Sequence, residues 1–326
     1  MDKNSFKKFL NRLFGINEIR VVIPLIVVIV IFGVWQPAFF SFINLRAIIR
    51  ASSFHGIIIL GMTYSFIVRQ PDLSIGSIAG FAAIISSICI VWIGWPVWVG
   101  ITLALIVAAL IGLINGFLTV KLKIPPIVAT LGMLFLLRGL TFVISKGLIV
   151  YPFPDYVYRF AKFRIIGLPI SFVIFLILAI LLDFVLRKTT FGRKVYATGA
   201  NVRVAQLMGI NTNFIKMITH VQLGVLCAIG GILYMFNMGN GTPSIGLNWE
   251  FPVIVGVIIG GVSILGGVGT VLSAFFGVLI IQVLYNGLTI VGIKGIYENI
   301  IIGVIMLVVA GLDTWRRTKI IKVKAS

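Results

Sequence analysis

Residues 187–211 read RKTTFGRKVYATGANVRVAQLMGIN. The stretch carries Arg187, Lys188, Arg193, Lys194 and Arg203 and no acid, and long apolar runs flank it on both sides. A basic polar segment between membrane spans belongs on the cytoplasmic side. The loop therefore speaks to both the class of the chain and its orientation. Within it the spacing predicts a short helix over residues 202–208, with Asn201 placed to cap the first turn and Gly209 to end it in the left-handed conformation. Val202, Ala205 and Met208, at i, i+3 and i+6, then share one small apolar face. Such a face fits a groove on another protein. A short helix lying on lipid headgroups satisfies the same spacing.

Composition agrees with a membrane protein. Of 326 residues, 60% are hydrophobic and 11% charged, and the mean hydropathy is +1.16. A soluble domain of this size does not carry such a composition. The net charge of +19 does not imply nucleic acid, because the basic residues sit between apolar runs and at the chain ends. Cys89 and Cys227 lie in apolar runs without metal-ligand spacing and read as small core residues. No small-x-small cleavage pattern follows the first apolar run, which reads as a retained span.

Working outward, residues 1–20 hold Lys3, Lys7, Lys8, Arg12 and Arg20 opposite a stripe of Phe6, Phe9, Leu10, Leu13 and Phe14. That pattern predicts a cytoplasmic interfacial helix. Ten stretches approach the roughly 20 apolar residues a span needs: about 21–40, 47–68, 73–93, 96–120, 124–145, 165–186, 214–236, 250–266, 269–291 and 297–313. The expectation is an all-α, polytopic, single transmembrane domain over residues 1–326, with a cytoplasmic loop at 187–211 and a basic cytoplasmic tail at 316–326. Ten spans put both termini on one side. With the termini inside, nineteen of the 27 lysines and arginines fall in inner segments, seven in outer ones and Arg138 within the fifth span. The bias points to cytoplasmic termini. The longest outer segment, 147–164, carries aromatic residues at 151, 153, 156 and 158, suited to an interfacial belt or to an external partner. Asn115-Gly116-Phe117-Leu118 near the end of the fourth span and Asn286-Gly287-Leu288 near the end of the ninth lie at opposite faces on this count. Opposed placement is what an inverted repeat requires, spans two to five answering spans seven to ten.

No catalytic constellation stands out. The GxxxxGK[ST] phosphate loop, HExxH and GxSxG are absent, and nothing implies a cofactor or a metal. His55 and His220 lie far apart and read as satisfied interior or interface residues. All eight acids fall in loops or near span ends, so no mid-membrane proton relay is visible, which weighs against an ion-coupled carrier. Arg138 is the one deep charge, and a structural pairing with an acid is the expectation. Two stretches are unusual for spans: Pro71-Asp72-Leu73-Ser74-Ile75-Gly76-Ser77, and residues 246–269 with Asn248, Glu250, Pro252 and repeated glycines. Interrupted spans point towards a translocation path, while glycines also serve close helix packing. Asp72, Ser74, Asn115, Asn248, Glu250 and Asn286, the polar residues at these breaks, are the candidate lining of that path.

Asp72-Leu73-Ser74-Ile75-Gly76-Ser77, then Lys123-Ile124-Pro125-Pro126-Ile127-Val128-Ala129-Thr130-Leu131-Gly132, then Phe191-Gly192-Arg193-Lys194-Val195-Tyr196-Ala197-Thr198-Gly199-Ala200-Asn201 occur in order. With Gly260-Gly261 and residues 265–270, they resemble the permease subunits of bacterial ABC importers for monosaccharides, the ribose, xylose, galactose and autoinducer-2 group. The resemblance covers roughly residues 20 to 315. It implies a plasma-membrane permease working as a homo- or heterodimer with a cytoplasmic ATPase and an extracytoplasmic sugar-binding protein, ATP hydrolysis being the ATPase's. It also implies that the loop is a coupling element, with Gly192, Arg193, Tyr196, Gly199, Asn201, Val202, Ala205, Met208 and Gly209 as the residues to meet the ATPase. One departure stands out. Arg69-Gln70-Pro71 replace the pair of glycines and apolar residue that usually precede Asp-Leu-Ser in this group.

Overall fold

The computed structural model describes residues 17–293 and single positions between 297 and 311. Most of the expected interfacial helix at 1–20, much of the tenth span at 297–313, and the tail at 316–326 lie outside the described residues.

The chain is helical almost throughout. Helix α1 (Asn17–Trp35) passes through a 3₁₀ turn into α2 (Phe42–Ile67), followed by α3 (Ile75–Ser87), α4 (Val97–Val120) and α5 (Pro126–Ser145). A short helix α6 (Asp155–Lys162) and a small hairpin of β1 (Arg164–Ile165) and β2 (Leu168–Pro169) lead to α7 (Ile170–Lys188). Then come α8 (Thr190–Ala200), α9 (Val202–Leu207), α10 (Thr212–Met238), α11 (Glu250–Ile259) and α12 (Val271–Ile290). Among the described residues, seven helices are long and apolar enough to cross a membrane: α2, α3 with its π-helical extension to Trp92, α4, α5, α7, α10 and α12. Hydropathy places these well because a backbone in lipid must satisfy its own hydrogen bonds, and a helix does so internally.

Lipid tails are as apolar as leucine, so close packing and interhelical hydrogen bonds hold such a bundle together. Helix α10 is its axis, packed on α4, α2 and α3. The α4–α10 crossing uses small residues. A Cβ added at Gly112 would lie 2.3 Å from the His220 carbonyl, and one at Gly224 would lie 2.3 Å from the Ala108 carbonyl. Helix α2 is buried all round over Ile57–Leu60, whereas α5 and α7 expose long apolar faces such as Phe135, Val143, Ile177 and Ile180.

Three sequence expectations are corrected. The eighth stretch, 250–266, is a helix of only 10 residues, Glu250–Ile259. Its glycines end it, since Gly261, Gly266 and Gly267 take positive φ and fold the chain into a tight turn. The sixth stretch opens with the β1–β2 hairpin before helix begins at Ile170. The basic loop holds two helices where one is expected. Helix α8 was legible in Thr189, whose hydroxyl caps Gly192 N at 3.3 Å, and in Phe191 and Val195 at i and i+4.

Candidate functional site

Between α2 and α3 the chain leaves helix over residues 68–74. Arg69 sits at φ 60°, Gln70 N–H donates to the Ser65 carbonyl at 2.8 Å, and the Ser65 hydroxyl donates back to the Gln70 carbonyl. Asp72 follows and is 1% exposed. Its Oδ1 accepts from Ser74 N and Ser74 Oγ at 2.8 and 2.6 Å. Its Oδ2 accepts from Asn115 Nδ2 at 3.0 Å and lies 3.2 Å from His220 Nδ1. Asn115 Nδ2 also reaches Ser74 Oγ at 3.0 Å. His220 donates to this carboxylate in the tautomer that carries its proton on Nδ1. Its Nε2 lies 3.5 Å from Gln70 Oε1. Leu73 N donates to Thr130 Oγ1 at 3.0 Å, tying the segment to α5. Three residues singled out from sequence thus meet in one buried cluster, and His220, read as a satisfied interior residue, completes it.

The second break, residues 239–249, lies between α10 and α11. Backbone holds it: Gly239 ends α10 at φ 71°, Gly246 and Asn248 stand at 78° and 59°, and Gly241 exchanges two hydrogen bonds with Val150 at 2.8 and 2.9 Å. Arg138 Nη1 donates to the Pro243 and Ile245 carbonyls at 3.3 and 2.9 Å. The hydrogen bonds of this arginine go to two backbone acceptors, and Glu250 is the acid that attracts it electrostatically. Ser244, Leu247 and Asn248 are exposed. Glu250 is 9% exposed, and a Cβ added at Gly76 would lie 3.1 Å from its Oε2.

The two breaks touch. A Cβ at Gly76 would lie 2.2 Å from the Gly246 carbonyl, and one at Gly246 would lie 1.9 Å from the Gly76 carbonyl. Register along α10 gives the depth. Asp72 lies against His220, about 12 Å along α10 from Thr212, and Ala79 lies against Gly231, about 28 Å along it. The contact of Gly76 with Gly246 falls between these levels, halfway through the bundle. Irregular backbone at such depth is tolerated only inside protein or along a polar cavity.

Asn286 stands apart from both breaks. It exchanges two side-chain hydrogen bonds with Asn44, at 2.8 and 2.9 Å. His55 lies 4.6 Å from the Trp249 ring and 3.3 Å from Gln282 Nε2. Among the described residues no three His, Cys, Asp or Glu side chains gather as a metal ion requires. At the 147–164 segment, Phe153 is buried against Phe236 while Tyr151 and Tyr156 are exposed, and Tyr158 Oη donates to the Gly239 carbonyl at 3.1 Å.

In the basic loop, Asn201 Oδ1 accepts from Arg203 N and Val204 N at 3.0 and 3.2 Å, and Gly209 stands at φ 79°. Ala205, however, is 2% exposed and packed inward, and Val202 is half-buried. The apolar side chains that α9 presents outward are Val204, Leu207 and Met208. The expected common face of Val202, Ala205 and Met208 is therefore split, Ala205 turning to the protein and Met208, at the helix end, away from it. Gly192, Tyr196 and Gly199 likewise bind the loop to its own chain. Gly192 lies against Leu186, Gly199 against Ile67, and Tyr196 Oη donates to the Gly269 carbonyl at 2.6 Å. Arg193 is exposed.

A helical membrane bundle with two interrupted segments meeting inside it, and a structured basic loop between α7 and α10, is an architecture suited to a transport permease. Residues 44–310 match the family described as branched-chain amino acid transport system / permease component, and the chain belongs to that family. It is 33% identical to the ribose import permease protein RbsC of Haemophilus influenzae, over 98% of this chain and 99% of that one. It is 32% identical to the autoinducer 2 import system permease protein LsrC of Photorhabdus luminescens, over 95% of each. To the xylose transport system permease protein XylH of Haemophilus influenzae it is 29% identical, over 93% of this chain and 98% of that one. No solved structure matches the chain significantly. The chain is thus the permease subunit of an ABC importer, a multi-pass inner-membrane protein whose hydrolytic step belongs to a separate ATPase subunit.

Proposed function

We propose that the chain forms the path by which a monosaccharide, delivered by an extracytoplasmic binding protein, crosses the membrane at the expense of ATP. The meeting of the two breaks at Gly76 and Gly246 carries this reading. It brings the first turns of α3 and α11, and Glu250 with them, to mid-depth in the bundle, where Asn248 is exposed, and sugars need hydrogen-bonding groups at that level. The names of the relatives supply the solute class.

On this reading both termini are cytoplasmic and about ten of the helices are membrane-embedded, the tenth at 297–313. Two features support that orientation: the inner bias of basic residues, and the convergence of the α2 end, α8 and the 260–270 turn at one face while 150, 158, 239 and 241 converge at the other. The run of long helix, break and further helices occurs in α2–α5 and again in α10–α12, as an inverted repeat would have it. The ATPase docks on α8–α9, with Val204, Leu207 and Met208 as its apolar contacts and Arg193 and Arg203 beside them. The permease pairs with a second copy or a close homologue.

The test is uptake of labelled D-ribose, D-xylose and L-leucine by cells with and without this chain, with and without an uncoupler. Sugar uptake that needs the chain and survives collapse of the ion gradients is the expected result. Uptake lost with the gradients would make it an ion-coupled carrier. Uptake of leucine alone would move the solute to the amino acids named in the family description, and unchanged uptake without the chain would leave only a structural role.

A further inference from the structure

Arg69 stands between the basic loop and the buried cluster. Its Nε donates to the Gly199 carbonyl at 2.8 Å and its Nη2 to the Ala200 carbonyl at 3.0 Å. These are the last two residues of α8, whose carbonyls form the negative end of that helix. Arg69 is thus a C-terminal cap supplied by another segment. The same point is knotted by backbone. Gly267 N donates to the Ile67 carbonyl at 2.9 Å, and a Cβ at Gly199 would lie 1.8 Å from that carbonyl and 2.7 Å from Gly267 N. Any displacement of α8 must therefore displace Arg69 or break its bonds.

On the other side, the residue after Arg69 is Gln70, whose Oε1 lies 3.5 Å from His220 Nε2. His220 reaches Asp72 at 3.2 Å, and Asp72 reaches Asn115 at 3.0 Å. The Arg69–Gln70 peptide, the approach of Gln70 Oε1 to His220 and the His220–Asp72–Asn115 contacts therefore join the end of α8 to the buried cluster. Arginine suits the first link because its planar fork holds two carbonyls at once, which a lysine ammonium does not do in a fixed geometry.

We propose that Arg69 is a positioning residue that couples movement of α8–α9 to the buried Asp72–His220–Asn115 cluster, and so to the path. This rests on the docking of the ATPase at α8–α9 proposed above. Cys227 supplies a native probe. It is buried and lies two turns, about 10 Å, beyond His220 on the same stripe of α10.

The experiment uses the permease purified with its ATPase, in a Cys89→Ala background, as wild type, Arg69→Gly and Arg69→Lys. Glycine suits the positive φ of position 69, so the backbone is not strained by the change. Three quantities are read: ATPase retained per permease, ATP hydrolysis, and the rate at which N-ethylmaleimide labels Cys227 with and without ATP and vanadate. In the wild type the nucleotide should change labelling by about fivefold or more, within the range a coupling contact commands. Arg69→Gly should keep retention and hydrolysis within about twofold while its labelling ratio falls to about one, and Arg69→Lys should recover part of the ratio. A wild-type ratio in Arg69→Gly overturns the proposal. So does an Arg69→Gly complex that sheds its ATPase, which would make the residue a brace only, and so does a wild type in which nucleotide leaves Cys227 unchanged. A wild type that retains no ATPase overturns the docking reading itself, and this proposal with it. Should Arg69→Gly not accumulate, Gln70→Leu, which spares Arg69 and α9, carries the test: loss of the nucleotide response supports the coupling, and a wild-type response defeats it.

Discussion

The breaks before α3 and α11 meet at a pair of glycines, yet they are built in opposite ways. The first is fastened by side chains. Asp72, Ser74, Asn115 and His220 are buried and bonded to one another, with Asn115 Oδ1 left without a partner. The second is fastened by backbone, through left-handed turns, the Val150–Gly241 pairing and the two carbonyls held by Arg138, and it leaves Ser244 and Asn248 exposed. A buried network of shared hydrogen bonds holds one geometry firmly, and leaving a further member unpaired is costly. A backbone-held turn frees its side chains for other partners. The comparison casts the first break as the rigid arm, fit to be moved as a unit, and the second as the surface that can bind solute.

The sharpest way to break this comparison is to remove the carboxylate. Asp72→Ala leaves Asn115, Ser74 and His220 without their shared acceptor and should cost about 3–5 kcal/mol. Folded protein recovered from membranes and the midpoint of thermal aggregation in detergent would show it. A variant of normal stability with abolished D-ribose uptake would instead place Asp72 in the path, alongside Asn248.

The contact between the breaks comes next. In Gly246→Ala the new Cβ would press on the Gly76 carbonyl at 1.9 Å, at a backbone φ of 78°. Overpacking and the left-handed conformation together should cost about 2–5 kcal/mol. Gly94→Ala is the control. Gly94 has the same φ of 78° and nothing within 4 Å, so only the conformational part, about 1–2 kcal/mol, should remain. Equal losses of thermal stability in the two variants would show that the breaks do not support each other.

The smallest stability effect belongs to the exposed side of the second break. Asn248→Gly keeps the positive φ and should shift stability by no more than about 0.5 kcal/mol. If the amide meets solute, the concentration of D-ribose for half-maximal uptake should rise about 3- to 10-fold, the worth of one hydrogen bond. Unchanged uptake at unchanged stability would take Asn248 out of the path.

Much of the candidate site was legible. Pro71, the glycines and the isolated polar residues mark both breaks, because a chain that interrupts helix inside lipid must carry groups to satisfy the freed backbone. The cap of α9 was equally visible, since capping is decided within four residues. The partners were not. His220 lies 148 residues from Asp72 and Asn44 lies 242 from Asn286, and no local pattern joins either pair. The inward turn of Ala205 and the carbonyl partners of Arg138 escaped for the same reason. Periodicity says which residues share a face of a helix, not what that face meets.

The sequence by itself determined the class of protein, the long spans and the places where helix fails. Each of these is set by the cost of polar groups in lipid or by hydrogen bonds within one turn, both local properties of the chain. Only the tertiary structure decided that the two failures meet at Gly76 and Gly246, that Asp72 closes on His220, and that Arg69 caps α8. Those depend on the rotation and depth of each helix against its neighbours. Close packing around the glycines of α4, α10 and the two breaks fixes both at once.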